Sequence, residues 1–210
     1  MTLPSYYSNE RRDILPFLPE KPVKSIEFGC GIGNFSGIIE AEFGTETWGV
    51  DLNEEAVAEA KKRMHKVVLA DAMEAIAQLP ENYFDCIICN DILEHLPYPE
   101  QFLKEVRSIL VKDAHIAISV PNVRSWGHFI HYFLHKDWKY GDFGILDNTH
   151  MKFFTKKSLM RMLDESGIEI ELIRGITATN TILFNLTNIL SLGFISDMRY
   201  LEYAVRGRFK

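Results

Sequence analysis

The chain has 210 residues, enough for one domain of ordinary size with a sizeable hydrophobic core. Its composition, 47% hydrophobic and 25% charged, is that of a globular protein in water. A net charge of −6 gives no broad basic surface, so nucleic acid is not an expected partner.

The opening stretch, MTLPSYYSNERRDIL, lacks the basic-then-apolar pattern of a secretion leader. No apolar window is long and clean enough to span a bilayer, so the cytoplasm is the expected location, without integral membrane contact. A short amphipathic helix is predicted around Asn9 to Leu15, ending at Pro16 and Pro19. VKSIEF then reads as a strand leading into a glycine-dense loop, with helix from about Phe35 to Glu42. TETWGV is a second strand that delivers Asp51, followed by the helix-prone NEEAVAEAKKRM. KVVLA is a third strand, ended by Asp71, and AMEAIAQL a short helix.

YFDCIICN is continuously apolar, as expected for a strand covered on both faces. Its Cys86 and Cys89 are three apart, which on a strand means opposite faces, and they read as two buried small hydrophobes rather than a redox pair. Pro99 to Leu110 is predicted helical and AHIAISVPN a fifth strand. Residues 123–154 read as an irregular, aromatic-rich insertion holding four of the seven histidines. TKKSLMRMLDESG restores helix, with Thr155 as N-cap, and IEIELIR is a strand. A second irregular apolar segment, 175–197, precedes a last strand in RYLEYAVRGRF. The alternation implies one doubly wound α/β domain over 1–210, with insertions at about 123–154 and 175–197.

In such sheets ligands sit beyond the C-terminal strand ends. Gly29, Asp51, Asp71 and the Asn90–Asp91 pair all fall there. The loop EFGCGIGNF lacks the G-K-[ST] ending of a triphosphate loop. It also differs from the dinucleotide fingerprint, because Asn34 stands where the third glycine belongs. The carboxylates Glu27, Asp51 and Asp71, with Asp91 beyond, would repel a pyrophosphate. They suit a ligand with hydroxyls, amines and a positive centre, as in S-adenosylmethionine.

IEFGCGIGNFS, GVDLNEEAVAEAKKR, LADAME and FDCIICNDILEHLPYPEQFLKEVRSILV resemble the class I S-adenosylmethionine-dependent methyltransferases over roughly Val23 to Asn122. The resemblance resumes at FFTKKSLMRMLDESGIEI. More weakly, GILDNTHMKFFT resembles small-molecule methyltransferases of sugar, polysaccharide or natural-product pathways. It implies a seven-stranded Rossmann-like sheet, order 3-2-1-4-5-7-6, with the last strand antiparallel and helices on both faces. The loop Gly29, Cys30, Gly31 and Gly33 would line the methionine and ribose, with Glu27 toward the amino group. Asp51 would bind the ribose hydroxyls, Leu52 and Ala72 the adenine ring, Asp71 its amine, and Asn90 the methionine moiety.

The expected reaction is methyl transfer to a hydroxyl of a sugar-linked, phenolic or lipid-like small molecule. Nitrogen transfer, a catalytically inactive binding protein and an NAD-dependent oxidoreductase are the alternatives. His95 and His150 are the candidate bases. The D-x-x-E-H spacing of Asp91, Glu94 and His95 resembles the magnesium arrangement of some quinone-biosynthesis O-methyltransferases, but no metal is assigned. His128, His131 and His135 share one helical face, without the H-E-x-x-H pattern or fourth group of a zinc site. The apolar segment Ile176–Ile195 lacks a Lys/Arg-rich face, so a lid or internal packing is expected ahead of subunit or membrane contact. A monomer or homodimer is expected.

Overall fold

The computed structural model describes residues 9–210; part of the opening stretch read for a leader pattern therefore lies outside the described residues. Seven strands form one sheet in the order β3-β2-β1-β4-β5-β7-β6. The strands are β1 Lys24–Phe28, β2 Glu46–Asp51, β3 Lys66–Leu69, β4 Phe84–Asn90, β5 Leu110–Pro121, β6 Ile168–Ala178 and β7 Tyr200–Phe209. Pairings from β3 through β5 are parallel, whereas β7 runs antiparallel to both β5 and β6. This is the order and direction implied by the sequence resemblance.

The helices are α1 Asn34–Phe43, α2 Glu54–Ala60, α3 Ala72–Ile76, α4 Pro99–Glu105, α5 Trp126–His135, α6 Lys156–Glu165 and α7 Ile182–Leu190. The central strands are apolar on both faces because both are covered. On one face Phe28, Ile87 and Ile118 join Phe102 and Leu103 of α4 and Leu159 of α6 in the larger core. Phe28 and Phe102 meet edge to face at 4.9 Å. On the other face Ile88 and Ala117 pack with Phe35 and Ile39 of α1. Cys86 belongs to this second face and Cys89 to the first, both fully buried, so the C-x-x-C straddles the sheet.

Three regions differ from the sequence expectation. Residues Arg12–Phe17 form a 3-10 helix rather than an amphipathic helix ending at Leu15; Pro16 lies inside it, and Ile14 and Phe17 are buried under the sheet. The segment 123–154 is not irregular at its start, because α5 occupies Trp126–His135. The segment 175–197 is likewise ordered: β6 continues to Ala178, and α7 begins at Ile182 after Thr181, whose hydroxyl accepts the Phe184 N–H at 3.3 Å. Neither helix carries a charged residue, their polar faces being made of His128, His131 and His135 in α5 and of Asn185 and Asn188 in α7, so no charged stripe marks either in the sequence as a surface helix. Among the described residues no helix is long and apolar enough to cross a membrane.

Candidate active site

The glycine loop sits between the end of β1 and the start of α1, beside the ends of β2 and β4. Gly29 and Gly33 have φ of +72° and +75°. A Cβ at Gly33 would lie 2.8 Å from the Met64 sulfur, so both backbone conformation and space demand glycine there. The loop is tied to the sheet: Gly29 and Cys30 N–H donate to Val50 O at 2.8 and 3.1 Å. Cys30 contributes backbone only, because its side chain packs among Val57, Ala60 and Met64. Gly49 makes room for that thiol, since a Cβ there would approach Cys30 Sγ to 2.6 Å.

Asp51 ends β2 and accepts the Gly31 N–H at 2.7 Å on Oδ2 and the Asn53 N–H at 2.9 Å on Oδ1. The carboxylate therefore fixes the loop as well as facing the strand ends. Leu52 beside it is 70% exposed, an apolar surface offered to solvent. Asp71 caps α3 by accepting the Met73 N–H at 2.8 Å, and Ala72 is buried in the first turn.

Glu27 lies in the middle of the sheet, opposite Gly49 of β2 and Ile88 of β4. Its carboxyl accepts from Ser36 Oγ at 2.6 Å and Asn90 Nδ2 at 3.2 Å. Burial pushes its pKa up to about 7, against the downward pull of these hydrogen bonds. The other end of the Asn90 amide, Oδ1, is buried with no hydrogen-bond partner among the described residues. A buried acceptor left without a partner beside Glu27 marks a place for a donor from a ligand.

After β4 the chain makes a 3-10 turn, Leu93–His95, that turns Glu94 inward and His95 outward. Asp91 does not join Glu94 and His95 as their spacing suggested. Arg11 forms an ion pair with it, and Ser119 Oγ donates to it at 2.8 Å. Arg11 also reaches Glu202 at 2.8 Å and Ser119 Oγ at 3.0 Å, knitting the ends of β4, β5 and β7 together. His150 takes the place of Asp91: Glu94, His95 and His150 each bring one ligand-type atom within 4.8 Å of the others. Glu94 is 1% exposed with both carboxyl oxygens unpartnered, and burial raises its pKa to about 8.

The two histidines meet edge to face, 4.7 Å between ring centroids. Ile145 O lies 2.9 Å from His150 Nδ1; a carbonyl only accepts, so Nδ1 carries the proton and Nε2 is the basic nitrogen of the neutral ring. For His95 the order is longer. Thr149 Oγ1 donates to Asp147 Oδ1 at 2.6 Å, which leaves that hydroxyl to accept from His95 Nδ1 at 3.0 Å. His95 Nε2 is thus also the free base. Burial and the neighbouring His150 lower the His95 pKa, favouring the neutral ring. Burial works upward on Asp147, but its hydrogen bonds from Thr149 outweigh it and hold the carboxyl low.

A cavity of about 510 Å³ opens between the start of α5 and the β6–α7 connection, lined by Trp126, His128, His131, Thr179 and Arg199. Ile145, which anchors His150, lines it too. The sequence pointed to the glycines, acids and both histidines by position. It gave no signal for Ser36, Arg11 or the Asp147–Thr149 relay, whose partners are distant in the chain or common loop residues.

Residues 3–173 match the family described as Methyltransferase domain. A ubiquinone biosynthesis O-methyltransferase of Nitrosospira multiformis is 24% identical over 181 residues, 84% of this chain and 73% of that protein. One from Idiomarina loihiensis is 29% identical over 162 residues, 73% of this chain and 64% of that protein. A structure titled as a SAM-dependent methyltransferase from Archaeoglobus fulgidus superposes with a TM-score of 0.66 at 22% identity, covering 97% of this chain and 92% of that one. The chain belongs to the methyltransferase family.

Proposed function

We propose that the chain, acting as one domain over 1–210, is an S-adenosylmethionine-dependent methyltransferase whose acceptor is a hydroxyl oxygen of a small molecule. The residues fit the methyl donor. The glycine loop lets backbone approach a ligand without phosphate, Asp51 retains lone pairs for ribose hydroxyls, and exposed Leu52 offers a surface for adenine. Glu27 and the unpartnered Asn90 Oδ1 suit an ammonium group, which would favour ionisation of the Glu27 carboxyl. Asp71 and Ala72 at the start of α3 would meet the adenine edge. The donor supplies an electrophilic methyl on a sulfonium.

The observation that carries oxygen transfer is the histidine pair. Each ring has its Nδ1 proton engaged, so each presents Nε2 as a proton acceptor. One imidazole is suited to take the hydroxyl proton as oxygen attacks carbon. The Asp147–Thr149 relay holds the His95 tautomer and favours the imidazolium that results. The cavity beside Ile145, lined by Trp126, His128, His131 and Thr179, offers room for an acceptor next to the loop that carries His150. The named O-methyltransferase relatives support the same acceptor atom.

The test is transfer of labelled methyl from S-adenosylmethionine to a panel of phenols and sugar alcohols. His95→Ala and His150→Ala are expected to slow transfer by about 10²–10⁴-fold for the residue that acts as base. Affinity for S-adenosylhomocysteine should stay within about twofold, since neither ring belongs to the glycine-loop site. Full turnover in both variants would remove the general-base role.

A further inference from the structure

We propose that the cavity between α5 and the β6–α7 connection is built for a methyl acceptor carrying an oxyanion, a carboxylate or a phosphate ester, on an apolar body. The inference rests on the reading of that cavity as the acceptor pocket. Trp126, Ile145, Leu146 and Leu201 give it apolar wall, and no Asp or Glu is among the described residues that line it. Arg199 lines it too, and its guanidinium has no carboxylate partner among the described residues. The guanidinium donates to the Asn185 amide oxygen at 3.1 Å and lies over the Phe184 ring, 5.1 Å from the centroid. Neither neighbour carries charge. Both acids close to Arg199 in sequence are engaged elsewhere, Asp197 with Arg124 at 2.7 Å and Glu202 with Arg11 at 2.8 Å. A guanidinium at a cavity wall without a counter-charge is a binding group for an anion.

A second group supports the same ligand. Ser125 lines the cavity and is 4% exposed, yet its Oγ has no hydrogen-bond partner among the described residues. It stands at the N-cap of α5, where a serine ordinarily accepts an N–H of the first turn, and here it accepts none. The first N–H groups of a helix have no partner within it, and the positive end of its dipole favours an anion. Gly127 and His128 of that turn line the cavity as well. Phe184 joins the two groups: its ring meets Trp126 at 5.4 Å, edge to face, and carries Arg199 on its surface. Thr179 fastens the arginine by donating its N–H to the Arg199 carbonyl at 2.7 Å, and it lines the cavity itself. An oxyanion can accept from the guanidinium, the serine hydroxyl and the helix N–H groups, and it neutralises the one fixed charge. The apolar remainder of the ligand would lie along Ile145 and Leu146, beside the loop that holds His150. The expectation that Ile176–Ile195 packs within the chain is met at Phe184, which is fully buried, whereas Leu190, Leu192 and Phe194 are exposed.

The test is calorimetric titration of the full chain, in the presence of S-adenosylhomocysteine, with three probes of one shape. They are 6-hydroxy-2-naphthoate, 6-hydroxy-2-naphthyl phosphate and the uncharged 6-hydroxy-2-naphthamide. At least one anionic probe is expected to bind about 10–100-fold more tightly than the amide, the range of a hydrogen bond to a charged group. The tighter of the two tells carboxylate from phosphate. Arg199→Gln is expected to bring the anionic probes to the affinity of the amide, with the amide itself changed by less than about twofold. Arg199→Lys, which keeps the charge, should retain part of the preference, and Ser125→Ala should lower it several-fold. Equal affinity for all three probes, or no binding of any, would overturn the proposal, as would a preference that survives Arg199→Gln. Labelled methyl transfer to the same probes separates this inference from the methyltransferase reading. Methylation of the amide as readily as the acids would keep that reading and remove the anion site. Selective anion binding with neither methylation nor S-adenosylhomocysteine binding would keep the anion site and count against methyl transfer.

Discussion

At Asp51 one carboxylate serves two tasks, since it holds the Gly31 N–H and lies at the strand end where a ribose would sit. A hydrogen bond to a charged group is worth roughly 1.5–3 kcal/mol. Asp51→Ala is therefore expected to weaken S-adenosylhomocysteine binding by about 10–100-fold, measured by calorimetric titration; unchanged affinity would remove Asp51 from the site. The histidines predict a pH profile. The His95 pKa is lowered by burial and then by the charge of His150, so the acid limb of kcat/KM should fall below pH 6.5. In His150→Ala the residual activity should show that limb moved upward, because one of the two downward influences is gone. A limb that stays put, or moves down, would assign the profile to another group.

At the scale of elements, α6 is held by a capping box in which Thr155 Oγ1 accepts the Ser158 N–H at 3.1 Å and Ser158 Oγ accepts the Thr155 N–H at 2.9 Å. Thr155→Ala should cost about 1 kcal/mol, lowering the melting temperature by about 3 °C in calorimetry, without altering cofactor affinity. That cap was legible in the sequence because capping is local: a threonine precedes a helix-prone run. The βα alternation from Lys24 to Pro121 was legible for the same reason, with apolar strands punctuated by glycine or acid. Asp51 and Asn90 could be placed because each ends a strand, and Asp71 because it follows one closely and caps the next helix. The helices α5 and α7 were not, since neither carries a charged residue to mark a solvent face. The direction of Asp91 was not legible, because spacing along a turn does not say which way a carboxylate points; Arg11, eighty residues earlier, decides it.

For the molecule as a whole, two buried acids near the middle of the fold set a pH dependence of stability. Glu27 has a folded pKa of about 7 and Glu94 of about 8, both raised by burial from 4.5. Stability from a group raised in this way is fully present below the unfolded value and is lost as pH rises through the folded one. Denaturant unfolding of the unliganded chain should accordingly show decreasing stability between about pH 4.5 and 8. Glu27→Gln should remove about half of the decline between about pH 4.5 and 7, on the order of 3 kcal/mol, leaving the part due to Glu94, and an unchanged slope would contradict a buried neutral carboxyl.

The central claim is that the site at the ends of β1, β2 and β4 accepts a methyl donor and not a dinucleotide. Parallel calorimetric titrations of the unmodified protein with S-adenosylmethionine, S-adenosylhomocysteine and NAD test it most directly. Saturable binding of the first two with no response to NAD is the predicted result. Tighter binding of NAD, with no heat from either methionine-derived ligand, would contradict the account.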